Sequence, residues 1–340
     1  MNQRIIRLIA EIDEFKGLWR GSQGLPEQVL ASLKRFATIE SIGSSTRIEG
    51  AKLSDSEVEA LLSNLEVRSF RSRDEQEVAG YAETIRLVYE AWQDMDLTES
   101  MIKGLHKQLL QHSDKDAWHR GDYKKHPNHV AAFDADGRQI GIVFETTSPF
   151  ETPPAMTDLV ARTRDELRSE NVHPLLTVGE FIVRFLAIHP FQDGNGRQAR
   201  ILTNLQLLRA GYEYVPYSSL ERLVEANKED YYRALRSTQK TLGQDNPDIE
   251  PWNLFFFEMM KKQKDLLEEA IRREAALEEL LPVSRAILDL MRQRGQVGVA
   301  EIVKASGFNR NTIKAHLRRL AADGKIVQHG KGRGSHYLLP

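Results

Sequence analysis

The run TVGEFIVRFLAIHPFQDGNGRQAR, residues 177–200, constrains the fold more than any other stretch. Its first half is apolar on almost every face, so as a helix it has to be enclosed by other elements, which calls for a many-helix core. Pro190 lacks an N–H and stops that helix near His189. A second apolar-periodic helix follows over about 197–209, and Gly211 ends it. The joint holds a histidine, a carboxylate, an asparagine between two glycines and two arginines, a mixture that a packed core does not need.

Each of those side chains suits one task. Gly194 and Gly196 can turn successive N–H groups toward one point and form an anion nest. The next helix begins around Gly196 and aims its positive end at the same place. Arg197 and Arg200, three apart, can both reach an anion bound there. Asp193 offers a hard oxygen that could hold Mg²⁺ between phosphates. His189 is the group suited to accept a proton near neutral pH. A polyphosphate, a metal ion and an incoming hydroxyl fit this set, and the chemistry is phosphate-ester transfer.

The rest of the chain supports a mainly α fold. Residues 27–49 space apolar side chains at helical intervals up to Gly50, and Ser54 with Glu57 forms a capping-box pattern for the next helix. Helices are expected over 74–92, 98–112, 155–169 and 177–188, another from about 219, and a long one over 251–279. HVAAFDADGRQIGIVF reads as a small hairpin around a DADG turn. The WNLFFFEMM block reads as core or as the seam of a homodimer.

Other chemistries find no support. There is no cysteine, no GxxxxGK[ST] loop and no membrane-length apolar run, and the charged start is unlike a signal peptide, so a cytoplasmic protein is expected. His106, His112, His119, His126 and His129 lack metal-ligand spacing and read as surface and loop residues. The net charge of −2 is unevenly spread: residues 281–340 carry eleven Lys/Arg against three Asp/Glu, a net of +8, leaving −10 on the remainder. DNA is therefore a candidate partner for the tail alone.

The joint also resembles a known signature. HPFQDGNGRQAR matches without a gap the Fic-domain pattern of His, any, Phe, any, Asp or Glu, Gly-Asn-Gly-Arg, two residues, Arg. GDYKKHPNHV is similar to the family segment before its flap hairpin, with Lys124 where Arg is usual. The resemblance implies a Fic-type helical core with a β-hairpin flap, and a protein adenylyltransferase that moves AMP from ATP to Tyr, Ser or Thr hydroxyls of target proteins, itself included. It implies that His189 is the base, Phe191 anchors the loop, Asp193 holds Mg²⁺, Gly194, Asn195 and Gly196 line the anion hole, and Arg197 and Arg200 hold the outer phosphates. An unaltered GNGR, with glycine kept at 194, favours nucleotidyl over phosphate transfer. Ile142, Val143, Phe144 and Glu145 would align the target backbone, and Tyr231 and Tyr232 would lie near the adenine.

SSTRIEG, residues 44–50, resembles the family's inhibitory signature. Ser45 and Glu49 share a helix face, with Ser45 expected to fix the glutamate rotamer. The resemblance implies that Glu49 pairs with Arg200 and misplaces ATP. Some relatives use this glutamate to place water for removing AMP, so a bifunctional enzyme is an alternative. Another alternative is a DNA-binding regulator that uses the Fic core as a nucleotide sensor. The tail resembles a winged helix-turn-helix, with Asn309–Ala322 as recognition helix and Arg310, Lys314, Arg318, Arg319, Lys331 and Arg333 as phosphate contacts. The expected organisation is an N-terminal helical region 1–97, a catalytic core 98–245, a connecting helix 246–280 and the winged domain 281–340.

Overall fold

The computed structural model describes residues 2–21, 26–63, 70, 72–133, 139–169, 171–278, 282–330 and 334–340. The chain divides into two compact units, Met1–Leu267 and Glu268–Pro340.

The first unit is built from α1 (Gln3–Gly21), α2 (Glu27–Ile48), α3 (Asp55–Leu62), α4 (Arg73–Ala91), α5 (Glu99–Leu109), the hairpin β1 (His129–Phe133) and β2 (Gln139–Glu145), then α6 (Thr152–Ser169), α7 (Pro174–Ile188), α8 (Asn195–Arg209), α9 (Leu220–Ala226), α10 (Lys228–Gln239) and the part of α11 (Glu250–Glu278) up to Leu267. α7 is enclosed as its sequence requires: Leu175, Val178, Val183 and Phe185 have no exposed surface. Its start is set by Pro174 at the first helical position and by His173, whose ring accepts the Leu175 N–H. α8 packs beside it and buries polar side chains too, among them Arg197, Gln198, Arg200 and Asn204. The Trp252 indole of α11 donates to the Gly179 carbonyl at 2.7 Å, and a side chain on Gly179 would run into Asn253. Phe256, Phe257, Met259 and Met260 are buried, so the WNLFFFEMM block is core within this unit.

α2 ends near the joint between α7 and α8, where ion pairs fasten it. Arg47 grips Glu225 of α9 with two hydrogen bonds, of 2.7 and 3.0 Å, and Asp55 at 2.9 Å. Lys228 donates to the Ile48 carbonyl at 2.8 Å. The capping box at Ser54 and Glu57 is present. The hairpin is antiparallel, with Ile142 opposite Ala131, Phe144 opposite Val130 and Glu145 opposite His129, and a register shift at Val143. The side chains of 130–145 lie outside the described ones, so the strand residues expected to dock a target are placed by backbone alone. α1 lies in the expected N-terminal helical region, and Ile5, Leu8, Ile12 and Phe15, all buried, carry its helical spacing.

The second unit has α12 (Pro282–Arg294), β3 (Gln296–Gly298), α13 (Val299–Ser306), α14 (Arg310–Ala322), β4 (Val327–His329) and β5 (His336–Leu338), with strand order β3-β5-β4, all antiparallel. Ile287, Leu288, Met291, Val297, Ile302, Ile313, Leu317 and Leu320 form its core. Gly307, in the left-handed region, ends α13, and the Asn309 side chain caps α14. Arg310, Lys314, Arg318 and Arg319 are exposed on α14; Lys331 and Arg333 lie outside the described residues.

Candidate active site

α7 delivers His189 at its C-terminus in a left-handed conformation (φ 53°), the one positive φ at a non-glycine among the described residues. That strain is offset by its N–H bonding to the Phe185 carbonyl at 2.9 Å. Nδ1 lies 3.2 Å from the Leu186 carbonyl. A carbonyl only accepts, so Nδ1 carries the proton and the Nε2 lone pair is left bare. Burial, reinforced by the nearby Lys124 cation, pushes the imidazole down to about 4 against the pull of the Leu186 carbonyl, Glu49 and Asp193. It is therefore neutral, and able to accept a proton, throughout the physiological range.

The loop after His189 is held from several sides. Phe191 is fully buried and stacks on His106 at 3.7 Å with the rings 6° from parallel. Asn195 uses its side chain as a clasp: Oδ1 accepts the Phe191 N–H and Nδ2 donates to the Phe191 carbonyl. Its amide therefore faces the loop, and what it offers an anion is its backbone N–H. Gly194, at φ 79°, is the N-cap of α8. The N–H groups of Asn195, Gly196 and Arg197 belong to the first turn and have no intrahelical acceptor.

Gly196 is needed for a reason other than the expected turn, since it lies inside α8. A Cβ there would stand 2.1 Å from Glu49 Oε1. The Glu49 carboxylate thus rests directly on the positive end of α8, where an anion would bind. Arg200 Nη2 donates to Glu49 Oε1 at 2.7 Å and to the Ser45 carbonyl at 2.8 Å, while Nε donates to Ser45 Oγ at 2.8 Å. Ser45 therefore positions the arginine and not, as its spacing suggested, the glutamate. Burial pushes the Glu49 carboxyl up, but Arg200, Arg197 and His189 outweigh it and hold it below the usual range.

Arg197 is also engaged. It is 2 % exposed, with Nη1 3.1 Å from Glu77 and Nη2 3.6 Å from Asp193. Arg73 completes the set, reaching Glu77 at 2.7 Å and Asp193 at 3.1 Å. Three guanidinium groups and three carboxylates thus balance around the loop. Neither Glu77 nor Arg73 was flagged by the sequence, because both come from α4, more than a hundred residues before the motif.

Two histidines expected at the surface are core residues. His106 has no exposed surface: it accepts the Gly121 N–H at Nδ1, so Nε2 bears the proton and donates to the Asp193 carbonyl at 2.9 Å. Burial drives its pKa down to about 4. His119 is buried against Asp116 at 3.1 Å. Lys124, 3 % exposed, donates to Asn128 Oδ1, Thr146 Oγ1 and the Ile188 carbonyl, and Asn128 donates in turn to the Phe191 carbonyl. This network ties the hairpin base to the His189 loop. Tyr231 is buried between Arg200 and the rings of Trp252 and Phe255, and Tyr232 packs edge-on against it at 5.1 Å, half-buried.

Asp193 can be tested as a metal ligand. Its side chain is 36 % exposed, and the described residues hold no cluster of three or more acidic or histidine side chains that would bind an ion unaided. One carboxylate beside an anion nest fits Mg²⁺ that arrives with phosphate oxygens already bound.

The fold and this loop define a mainly α protein with a helix start, covered by the Glu49 carboxylate, beside a neutral histidine. The chain carries a Fic domain: residues 96–207 match the Fic/DOC family. It is 26% identical over 242 residues to the protein adenylyltransferase Fic of Drosophila willistoni and 27% identical to that of Drosophila yakuba, a match covering 70% of this chain and 43% of each relative. The match thus spans less than half the length of these relatives. Among solved structures it is similar to a Fic family protein from Desulfovibrio desulfuricans G20 (TM-score 0.63, 25% identity, 100% of this chain and 97% of that one). It is also similar to a Fic domain containing signaling protein from Bacteroides thetaiotaomicron (TM-score 0.61, 26% identity, 79% and 97%).

Proposed function

We propose that this chain is a protein adenylyltransferase restrained by its own α2. The observation that carries the reading is the Glu49 carboxylate seated against Gly196 and bonded to Arg200, the place and the charge that a nucleotide phosphate would use. With Glu49 withdrawn, the α8 N–H groups, Arg197 and Arg200 bind the ATP polyphosphate. His189 Nε2 takes the proton of a Tyr, Ser or Thr hydroxyl on a target protein. The hydroxyl oxygen forms a bond to the α-phosphorus, the α–β anhydride bond breaks, and pyrophosphate leaves with that electron pair. Mg²⁺, held by Asp193, would supply charge neutralisation across the phosphates. Positioning and fixed dipoles account for most of the acceleration. The agreement with relatives that are adenylyltransferases supports the same reaction.

Tyr231 and Tyr232 lie on the Arg200 side of the loop, which suits the base of the nucleotide, and the β2 backbone at 142–145 suits an extended target segment added as a strand. ATP as substrate agrees with the expected cytoplasmic location, and no helix among the described residues is long and apolar enough to cross a membrane. The second unit reads as a winged helix-turn-helix, and the exposed cations of α14 favour contact with duplex phosphates.

The reaction is tested by incubating the Glu49→Gly protein with ATP labelled at the α or the γ position. Protein-bound label from the α position alone supports AMP transfer. Label from the γ position would mean phosphate transfer, and bound but unincorporated nucleotide would mean the sensor alternative.

A further inference from the structure

Arg73, Asp193, Arg197 and Glu77 form a closed ring of alternating charge: 3.1 Å from Arg73 to Asp193, 3.6 Å from Asp193 to Arg197, 3.1 Å from Arg197 to Glu77 and 2.7 Å from Glu77 back to Arg73. The members differ in freedom. The Arg197 and Glu77 side chains are 2 % and 9 % exposed and locked in place, whereas those of Asp193 and Arg73 are 36 % and 50 % exposed and form the solvent edge. Arg197 is fixed by its surroundings, so Arg73 is the cation of the ring that can move.

We propose that Arg73 is a third nucleotide-binding arginine, which covers the Asp193 carboxylate and passes its guanidinium to the polyphosphate when a metal–nucleotide complex takes that carboxylate. This rests on the reading of the α8 loop as a nucleotide site. A divalent cation that ligates the Asp193 oxygen bonded to Arg73, at about 2.1 Å, meets the guanidinium charge at close range unless the guanidinium moves away. A free divalent cation would in addition approach a carboxylate already faced by two guanidinium groups. A polyphosphate arriving with the cation removes that repulsion, because its oxygens give the displaced Arg73 a new partner. Arg73 is suited to the exchange: Nε is held by Glu77, so the side chain keeps an anchor while the Nη groups change partners. The consequence is that metal alone and nucleotide alone both bind poorly, and Arg73 acts on the two in opposite directions.

The test uses the full chain with Arg73→Gln and, as a charge-matched control, Lys115→Gln; Lys115 is exposed and reaches Asp193 only through space. Mn²⁺ alone is titrated by electron paramagnetic resonance and ADP with chelator by calorimetry. Arg73→Gln is expected to bind Mn²⁺ about fivefold more tightly and metal-free ADP about fivefold more weakly, the scale of a partly exposed ion pair, with a smaller change in each for Lys115→Gln. Shifts no larger than those of the control, or two shifts of the same sign, would overturn the role of Arg73 and leave the nucleotide site standing. If the parent protein binds ADP neither with nor without Mg²⁺, the nucleotide reading itself fails and this proposal with it.

Discussion

Glu49 and Arg200 are separated by 151 residues in the chain and joined by a 2.7 Å hydrogen bond in the structure. The pair places a carboxylate on the helix end and the arginine that the bound nucleotide would need. Glu49→Gly is therefore expected to raise nucleotide affinity about tenfold or more, the scale of a charge-assisted hydrogen bond removed from competition. Calorimetric titration with a non-hydrolysable ATP analogue checks this; equal affinity in the two proteins would remove the brake.

Ser45 gives a sharper test, because its oxygens bond Arg200 and not Glu49. In the Glu49→Gly background there is no glutamate left to position. Ser45→Ala is nevertheless expected to weaken ATP-analogue binding there, about two- to tenfold for one lost hydrogen bond. A silent Ser45→Ala in that background would mean that Ser45 serves the glutamate alone.

The legible parts of this site were local. His189 to Arg200 lie within one helix joint, and Ser45 and Glu49 share a helix face, so spacing alone could draw attention to them. Gly196 was noticed but for the wrong cause, since its need comes from a side chain on another helix. Glu77 and Arg73 left no mark, because an ion pair across more than a hundred residues has no local pattern. His106 was mistaken for a surface residue because a polar side chain satisfied at both ring nitrogens is as comfortable in a core as in water, and sequence does not show its partners.

The pH dependence follows from the two lowered histidines. Both stay neutral in the fold down to about 4, whereas in the unfolded chain they gain protons near 6.5. The unfolded state therefore binds more protons in that window, and stability falls as pH drops from about 6.5 to about 4. For fully buried His106 the loss is on the order of 2–4 kcal/mol. Denaturant titrations across this range check it, and a flat midpoint would contradict the buried neutral ring. By the same sign, the acid limb of the labelling rate belongs well below pH 6.5.

Lys124 holds the hairpin base through three neutral acceptors and has no carboxylate partner in its bonds. Burial lowers it to about 8, so it remains mostly charged at neutral pH. Lys124→Ala takes the donor from Thr146 Oγ1 and the Ile188 carbonyl, leaves Asn128 Oδ1 to the Thr146 hydroxyl alone, and is expected to cost about 2–4 kcal/mol by denaturant unfolding. Unchanged stability would show that the network is dispensable.

The exposed α14 cations bear on the second unit. Duplex DNA binding by the full chain should weaken steeply with salt, and Arg310→Ala, Lys314→Ala and Arg318→Ala should each reduce the salt slope by about 1. Absence of binding at low salt would assign that surface to another partner.

The central claim is that His189 takes the acceptor's proton beside a nest that binds the nucleotide independently. It is tested most directly by the rate of label transfer from α-labelled ATP in Glu49→Gly and in Glu49→Gly/His189→Ala, with ATP-analogue affinity measured on both. Affinity should hold within about threefold while the rate falls by about 10²–10⁴, the range for loss of a general base. Label attached at an undiminished rate without the imidazole would contradict it.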